Sequence, residues 1–340
     1  MIGAMSPEPG APPDGAPGRR LVLRWGSWGG LLLASAGTAA LTGCSIRLED
    51  DAPSLPLLQR RSVPDEKALI TAFRLAASQA QMAGRVPGAP AVVTQLGGIH
   101  QAQATVLHAL LAQGGVPDHV IESSAADGTP TSTGSATPQA AVSAPSAATV
   151  EQLAASEATA VAPASLAVLA AVTTANRAVL TAVSAQRAWA ADLLGSAVTW
   201  PAAHPLPPAA ATGLLDATRS VAYAFEVVAA QLGADARPTA LATLTALKAR
   251  ERALGTMAGA SAAPEPLGYA LPFAVTTPAL ARNLAAVVLS QLVARGLDPL
   301  PSLPLASTAV STVVRLQAEA QALAHGWGVS MVPFPGMAYP

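Results

Sequence analysis

Residues 212–232 read TGLLDATRSVAYAFEVVAAQL, with Leu214, Val221, Phe225 and Val228 on one stripe before a stop at Gly233. Such spacing belongs to a helix with one apolar face, because a strand would alternate every second residue. Working outward, the pattern recurs from Pro238 to Met257 through Leu241, Leu244, Leu247 and Leu254. After an irregular link, 259–277, Pro278 opens a helix through Leu280, Leu284, Val287 and Leu292. A last helix is predicted from about Leu305 to Trp327, through Val310, Val313, Val314, Ala320 and Ala324. Helix, helix, long connection, helix, helix is the order of a four-helix bundle with one long crossover.

The preceding half repeats that order. A helix begins near Pro64, Asp65 and Glu66 and carries Leu69, Phe73, Ala76 and Ala80 as far as Gly84. A second runs from about Pro90 to Gln113 through Val92, Leu96, Ile99, Val106 and Leu110, stopped by Gly114-Gly115. Residues 123–149 are Ser, Thr, Ala, Pro and Gly in bulk. They bury too little surface to offset ordering entropy, so a disordered loop is expected there. Helix returns from Thr149 to Val172, interrupted near Pro163, and again from Thr174 to Leu194 through Val179, Val183, Ala190 and Leu193. The expected fold is all-α: two tandem four-helix bundles, residues 62–198 and 210–340, joined by a proline-rich linker at 199–209.

Upstream of the bundles the chain carries an address. Arg19-Arg20 stand in a basic stretch, Trp25 to Leu41 are uncharged, and Leu41-Thr42-Gly43-Cys44 ends at the only cysteine. A basic region, an apolar region and a small-residue cleavage site define an export signal, and a paired arginine fits the Tat route. An aliphatic residue, two small residues and a cysteine form a lipobox. Residues 1–43 are therefore expected to be removed and Cys44 to take a lipid, with 44–61 as a flexible tether on the extracytoplasmic face of the cell membrane. Two acyl chains hold a protein where one does so only marginally, so no basic patch is needed. Without a second cysteine the chain makes no internal disulfide, despite an oxidising destination. Its 19 Lys and Arg balance 20 Asp and Glu, a net charge of −1. That is no electrostatic footprint for nucleic acid.

In the second half, Ala222-Tyr223-Ala224-Phe225-Glu226-Val227, Tyr269-Ala270-Leu271-Pro272-Phe273, Thr276-Thr277-Pro278, Trp327 and Pro333-Phe334-Pro335-Gly336 together resemble an actinobacterial ferritin-like domain family of unknown function. The resemblance covers residues 210–340; the first half looks like a more diverged bundle of the same kind. It implies a fold, with a Tyr-x-Leu-Pro-Phe crossover and a closing Pro-Phe-Pro-Gly stretch, and carries no established activity.

A di-iron bundle needs a glutamate from each of two helices and a Glu-x-x-His pair from each of the other two. This chain has no Glu-x-x-His. Thr218-Arg219 stand where related domains place Glu-His, Leu247 where they place a histidine, and Arg187-Ala188-Trp189-Ala190 where the first half would hold an acid and an imidazole. An arginine in a core repels a cation. No cofactor and no metal are expected; the alternative is a degenerate Fe or Mn site using Glu226, Glu251 or Glu319. Glu251 and Glu157 each fall near an apolar stripe, and the plain reading of both is a carboxylate at its edge. His100 and Gln103 flank the Leu96–Ile99 stripe, where a histidine is ordinarily a satisfied core or boundary residue; His108 lies further round. His325 is too far from Glu319 to form a pair. Gln291 and Gln317 are placed in a polar layer with Glu251 and Thr218. The aromatic C-terminus (Trp327, Phe334, Tyr339) is expected to pack back on the bundle. The functional expectation is a non-catalytic envelope module that docks a protein partner or a ligand, held to the membrane through the Cys44 lipid.

Overall fold

The computed structural model describes residues 60–123 and 146–338. Arg19, Arg20, the Leu41–Cys44 lipobox, most of the tether, the centre of the 123–149 segment and Tyr339 lie outside the described residues. Among the described residues all regular structure is helical. The helices are α1 (Glu66–Gly84), α2 (Ala91–Gln113), α3 (Asp118–Glu122), α4 (Val150–Ala160) and α5 (Pro163–Ala170), then α6 (Thr174–Leu193), α7 (Pro208–Gln231), α8 (Arg237–Ala258), α9 (Pro278–Arg295) and α10 (Val310–Gly326).

Local chemistry sets most of these ends. Thr149 and Gln152 form a reciprocal capping box at the start of α4, satisfying donors that the first helical turn leaves free. The Thr277 hydroxyl accepts from Leu280 N–H at 3.2 Å while Pro278 occupies the first turn of α9, where a missing N–H costs nothing. Proline opens α5 and α7 in the same way. For that reason α7 starts at Pro208, inside the segment expected to be linker. At the far end, α10 begins at Val310 rather than near Leu305. Pro304 and a left-handed Ala306, at φ 60°, keep the chain out of helix until then.

Packing divides the helices into two groups. In the first, α1 lies along α2, and α4 packs on α6 and α1. In the second, α7 packs on α8 and α9, and α9 on α10. The groups meet where α6 packs on α10. Both of those helices are buried almost all round: Thr181–Val183 and Ala185–Ala191 on α6, and Val310–Val314, Leu316–Ala318 and Ala320 on α10. A helix without a wet face belongs to an interior. One continuous core accordingly holds Leu107, Leu111, Leu166 and Val183 from the first group with Leu214, Val310, Val313 and Val314 from the second. A second cluster around Phe225, Leu247, Leu284 and Leu289 belongs to α7–α10 alone. Fully burying each such side chain contributes roughly 1.5–3 kcal/mol. The many buried alanines, among them Ala76, Ala182, Ala185, Ala190, Ala222 and Ala285, let the helices approach closely.

The segments Val150–Ala170 and Pro278–Ser302 have the length and apolarity to cross a membrane. The first is broken between Ala160 and Pro163, and the second leaves α-helix after Arg295. Within the fold they pack on α6, and on α7 and α10, respectively.

Two further devices hold the halves together. Arg177, 1 % exposed, donates to the carbonyls of Val172 (3.2 Å through Nη2), Leu303 (3.0 Å) and Pro304 (3.4 Å). It thus ties the end of α5 to the loop before α10. The C-terminal tail then returns to the first group: Met331 packs on Leu96, Ile99 and Ala190, and Phe334 is buried in the shared core. Gly336 allows this turn. Its φ is +83°, and a Cβ there would stand 2.7 Å from Leu297 Cγ, so both backbone and space require glycine.

Candidate functional site in the first helix group

Midway along α1, the buried row Leu69, Ala72, Ala76, Gln79, Ala83 contains one polar member. Gln79 meets Glu157 of α4, which in turn meets His100 of α2, and the interior also holds Gln103 of α2 and Gln186 and Arg187 of α6; all six are fully or almost fully buried. On α2 the i, i+3 spacing puts His100 and Gln103 on one face. The hydrogen bonds run through the group: Gln79 Nε2 donates to Glu157 Oε2 (3.0 Å), and Gln103 Nε2 to Gln186 Oε1 (3.2 Å) and to Pro333 O (2.8 Å). Gln103 Oε1 lies 3.3 Å from His100 Nδ1, and His100 Nε2 lies 2.6 Å from Glu157 Oε1. Arg187 Nη2 donates to Ala72 O at 3.0 Å. Gln79 Oε1, Gln186 Nε2 and Arg187 Nε have no hydrogen-bond partner among the described residues.

These contacts fix where the protons are. A backbone carbonyl only accepts, so the Pro333 contact sets the Gln103 amide with Nε2 toward the tail and Oε1 toward His100. His100 Nδ1 therefore carries a hydrogen. Its Nε2 then meets Glu157 Oε1 off the axis of an aligned hydrogen bond, yet at 2.6 Å two bare lone pairs would repel. A proton belongs between them. Imidazole and carboxyl group together are thus neutral overall, and Arg187 supplies the one net charge of the cluster. Burial pulls the Arg187 pKa down to about 10, against the opposing field of Glu157, which leaves it cationic at neutral pH.

A cleft of about 560 Å³ opens between α1, α5 and α6, and Arg187 is among its lining residues. Leu169, Val172, Leu180 and Val183 give it apolar walls, with Ser184, Thr71 and Lys67 among its polar members. At its edge Asp65, held in the left-handed region at φ 61°, accepts from Thr173 N–H (3.1 Å) and Asn176 Nδ2 (2.9 Å) at the start of α6. Burial opposes the Asp65 charge, but these bonds and nearby Arg177 outweigh it and hold the carboxyl below its ordinary range.

The candidates in the second group lie apart from this interior. Glu226 (52 % exposed) and Glu251 both face Lys248, at 3.7 and 3.2 Å, and Arg219 lies 3.5 Å from Glu251. Partial burial works against the Lys248 charge, yet Glu251, Glu265 and Glu226 raise its pKa above the usual value. Glu319 pairs with Arg315 one turn away. The structure gathers Glu226 and Glu251 about a lysine and leaves Glu319 elsewhere. Among the described residues no cluster of three or more His, Cys, Asp or Glu side chains has metal-binding geometry. The polar layer expected from Gln291, Gln317, Glu251 and Thr218 does not form. Gln291 is exposed, Thr218 donates to its own helix at Leu214 O, and Gln317 Nε2 donates to Val293 O. Buried Arg250, its pKa pulled down by burial to about 10 against the field of Glu319, donates to Leu316 O.

The remaining aromatic and imidazole groups are structural. His108 stacks edge-on against Phe73 and lies 3.5 Å from Asp118. His325 stacks on Trp189, and Trp327 stacks on Phe225 while donating to Thr243. The sequence reading placed Glu157 at the edge of its stripe, whereas it is at the centre. Gln79 and Gln186 were missed altogether. For Gln79 a signal existed, a polar residue in register with Leu69, Ala72, Ala76 and Ala83; for Gln186 none did, because α6 is buried almost all round.

No family model, no curated protein and no solved structure matches this chain.

Proposed function

We propose that the protein is an exported, lipid-anchored module of the cell envelope, built on a pair of ferritin-like bundles, that docks a ligand or partner and does not turn over a substrate. Cys44 sets its location, residues 45–61 its reach, and the fused helix groups its binding surface. The observation that carries the non-catalytic reading is the makeup of the polar interior. Gln79, Gln103, Gln186 and Arg187 accompany a single carboxylate, Glu157, and a single imidazole, His100. A dication among them would add to the buried Arg187 charge with one carboxylate in compensation, and burying unpaired charge is costly. The sparest redox-metal set of this kind, two imidazoles and one carboxylate, is an imidazole short in this interior.

Two measurements test the proposal. Protein purified without chelator or affinity metal is expected to contain no stoichiometric Fe or Mn, and its melting temperature to stay put on adding Fe, Mn or Zn, since any ligand of the native state raises it. One or two ions per chain would overturn the reading and direct mapping to Glu226, Glu251 and Glu319. Metabolic labelling with an alkyne fatty acid is expected to mark the wild type and not Cys44→Ala. Equal labelling of both would remove the anchor.

A further inference from the structure

Among the described residues no carboxylate pairs with the Arg187 guanidinium, and Glu157, whose field opposes its charge, is already engaged with His100 at 2.6 Å. The proton shared by His100 and Glu157 makes that pair neutral overall, Gln79, Gln103 and Gln186 are amides, and Arg187 Nε lacks an acceptor although the residue is only 4 % exposed. A buried cation with an unused donor calls for an anion. The two carboxylates along the cleft have other engagements: Asp65 is committed to Thr173 and Asn176, and Glu66 to Arg60, while Lys67 adds a second cation at the cleft. Around this cation the cleft is walled by aliphatic side chains, at about 560 Å³. That size falls within the range of roughly 300–1,000 Å³ for small-molecule sites, whose usual pattern is apolar walls with few, well-placed polar groups.

We propose that this cleft binds a single-chain amphiphile with an anionic head, a long-chain carboxylate. The head pairs with Arg187 where it lines the cleft, and the chain lies along Leu169, Val172, Leu180 and Val183. Charge complementarity selects the head and the aliphatic walls select the tail; neither alone would suffice, since a small polar anion leaves the walls wet and an uncharged chain leaves the Arg187 cation without an anion. This inference requires neither the lipid on Cys44 nor the ferritin-like ancestry, and the tests of those readings come out the same whichever way it falls.

The experiment is calorimetric titration of the full chain with dodecanoate below its micelle concentration, and with dodecanol as the uncharged control of equal length. One dodecanoate per chain is expected, with dodecanol weaker by at least about tenfold, a difference that corresponds to 1.4 kcal/mol. Arg187→Met should lose dodecanoate binding by at least the same factor while leaving dodecanol unchanged. Ser184→Trp, which fills the cleft from the α6 wall and leaves Arg187 in place, should abolish binding of both. With carboxyl-labelled ¹³C dodecanoate, the bound resonance should shift between wild type and Arg187→Met. Equal affinity for acid and alcohol overturns the proposal, as does undiminished binding by Ser184→Trp or no binding at all. Should Arg187→Met fail to fold, the acid–alcohol comparison and Ser184→Trp decide the matter by themselves.

Discussion

Replacing Glu157 with alanine is expected to destabilise the protein by about 3–5 kcal/mol, the cost of breaking a buried, hydrogen-bonded ionic group from one side. Gln79 Nε2 would lose its acceptor, His100 Nε2 its partner and Arg187 the nearest opposing field. Urea unfolding, read as a shift in midpoint at constant slope, measures this directly. Glu157→Gln is the sharper variant. Its amide oxygen still accepts from Gln79, its NH₂ donates to His100 Nε2, and Nδ1–H still faces Gln103. Every hydrogen bond survives and the net charge of the cluster does not change, because a neutral imidazole and an amide replace a pair that was already neutral overall. Glu157→Gln is therefore expected to lie within about 1 kcal/mol of wild type, the worth of a single net hydrogen bond. A loss as large as that of Glu157→Ala would show instead that Glu157 is the anion that balances Arg187, and the proton assignment in the cluster would be wrong.

The second large effect is expected at Arg177. Arg177→Met keeps much of the aliphatic volume and removes the donors that hold Val172, Leu303 and Pro304. Hydrogen bonds to a charged donor contribute about 1.5–3 kcal/mol each, and acceptors left buried and unmet carry their own penalty. A total of about 3 kcal/mol is expected, which for a chain of this size lowers the melting temperature by roughly 4–6 °C. Arg177→Lys should rescue little, because one ammonium on a flexible stem does not reproduce a planar fork reaching two segments. A melting temperature within about 2 °C of wild type for Arg177→Met would mean that the α5–α10 connection is held by packing alone.

How much of this was legible in the sequence varies with the element. The stripes of α7, with Leu214, Val221, Phe225 and Val228, and of α2, with Leu96 and Ile99, gave those helices their position, because each packs one face and wets the other. The break at Pro163 and the start at Pro278 were equally plain, since proline acts on its own backbone. The short α3 went unseen: five residues carry no period. Leu305 looked like the start of α10 because it continues an apolar run, but Pro304 and the left-handed Ala306 hold those residues out of helix. Arg187 was read as an obstacle to a metal site, which agrees with its burial, but nothing in its neighbourhood along the chain pointed to a cleft beside it. Glu157, His100 and Gln103 were each noticed singly and each discounted, because a polar residue beside a stripe ordinarily ends at the surface. They become one cluster only when four helices bring them within hydrogen-bonding distance, with the tail carbonyl of Pro333 orienting the amide.

The amino-acid sequence by itself determined that the described residues are helical and roughly where most of the longer helices begin and end, because periodicity, proline and capping residues act within a few positions of one another. It also stated an expected address, written in the local order Arg19-Arg20, apolar run, Leu41-Thr42-Gly43-Cys44. Only the tertiary structure decided that α6 and α10 are interior helices sharing one core, that Gln79, His100, Gln103, Glu157 and Gln186 form a single polar network, and that Arg187 is left as a buried cation beside an apolar cleft. Those outcomes depend on which faces meet across more than a hundred residues of chain, and no local pattern encodes the partner that a buried polar atom will find.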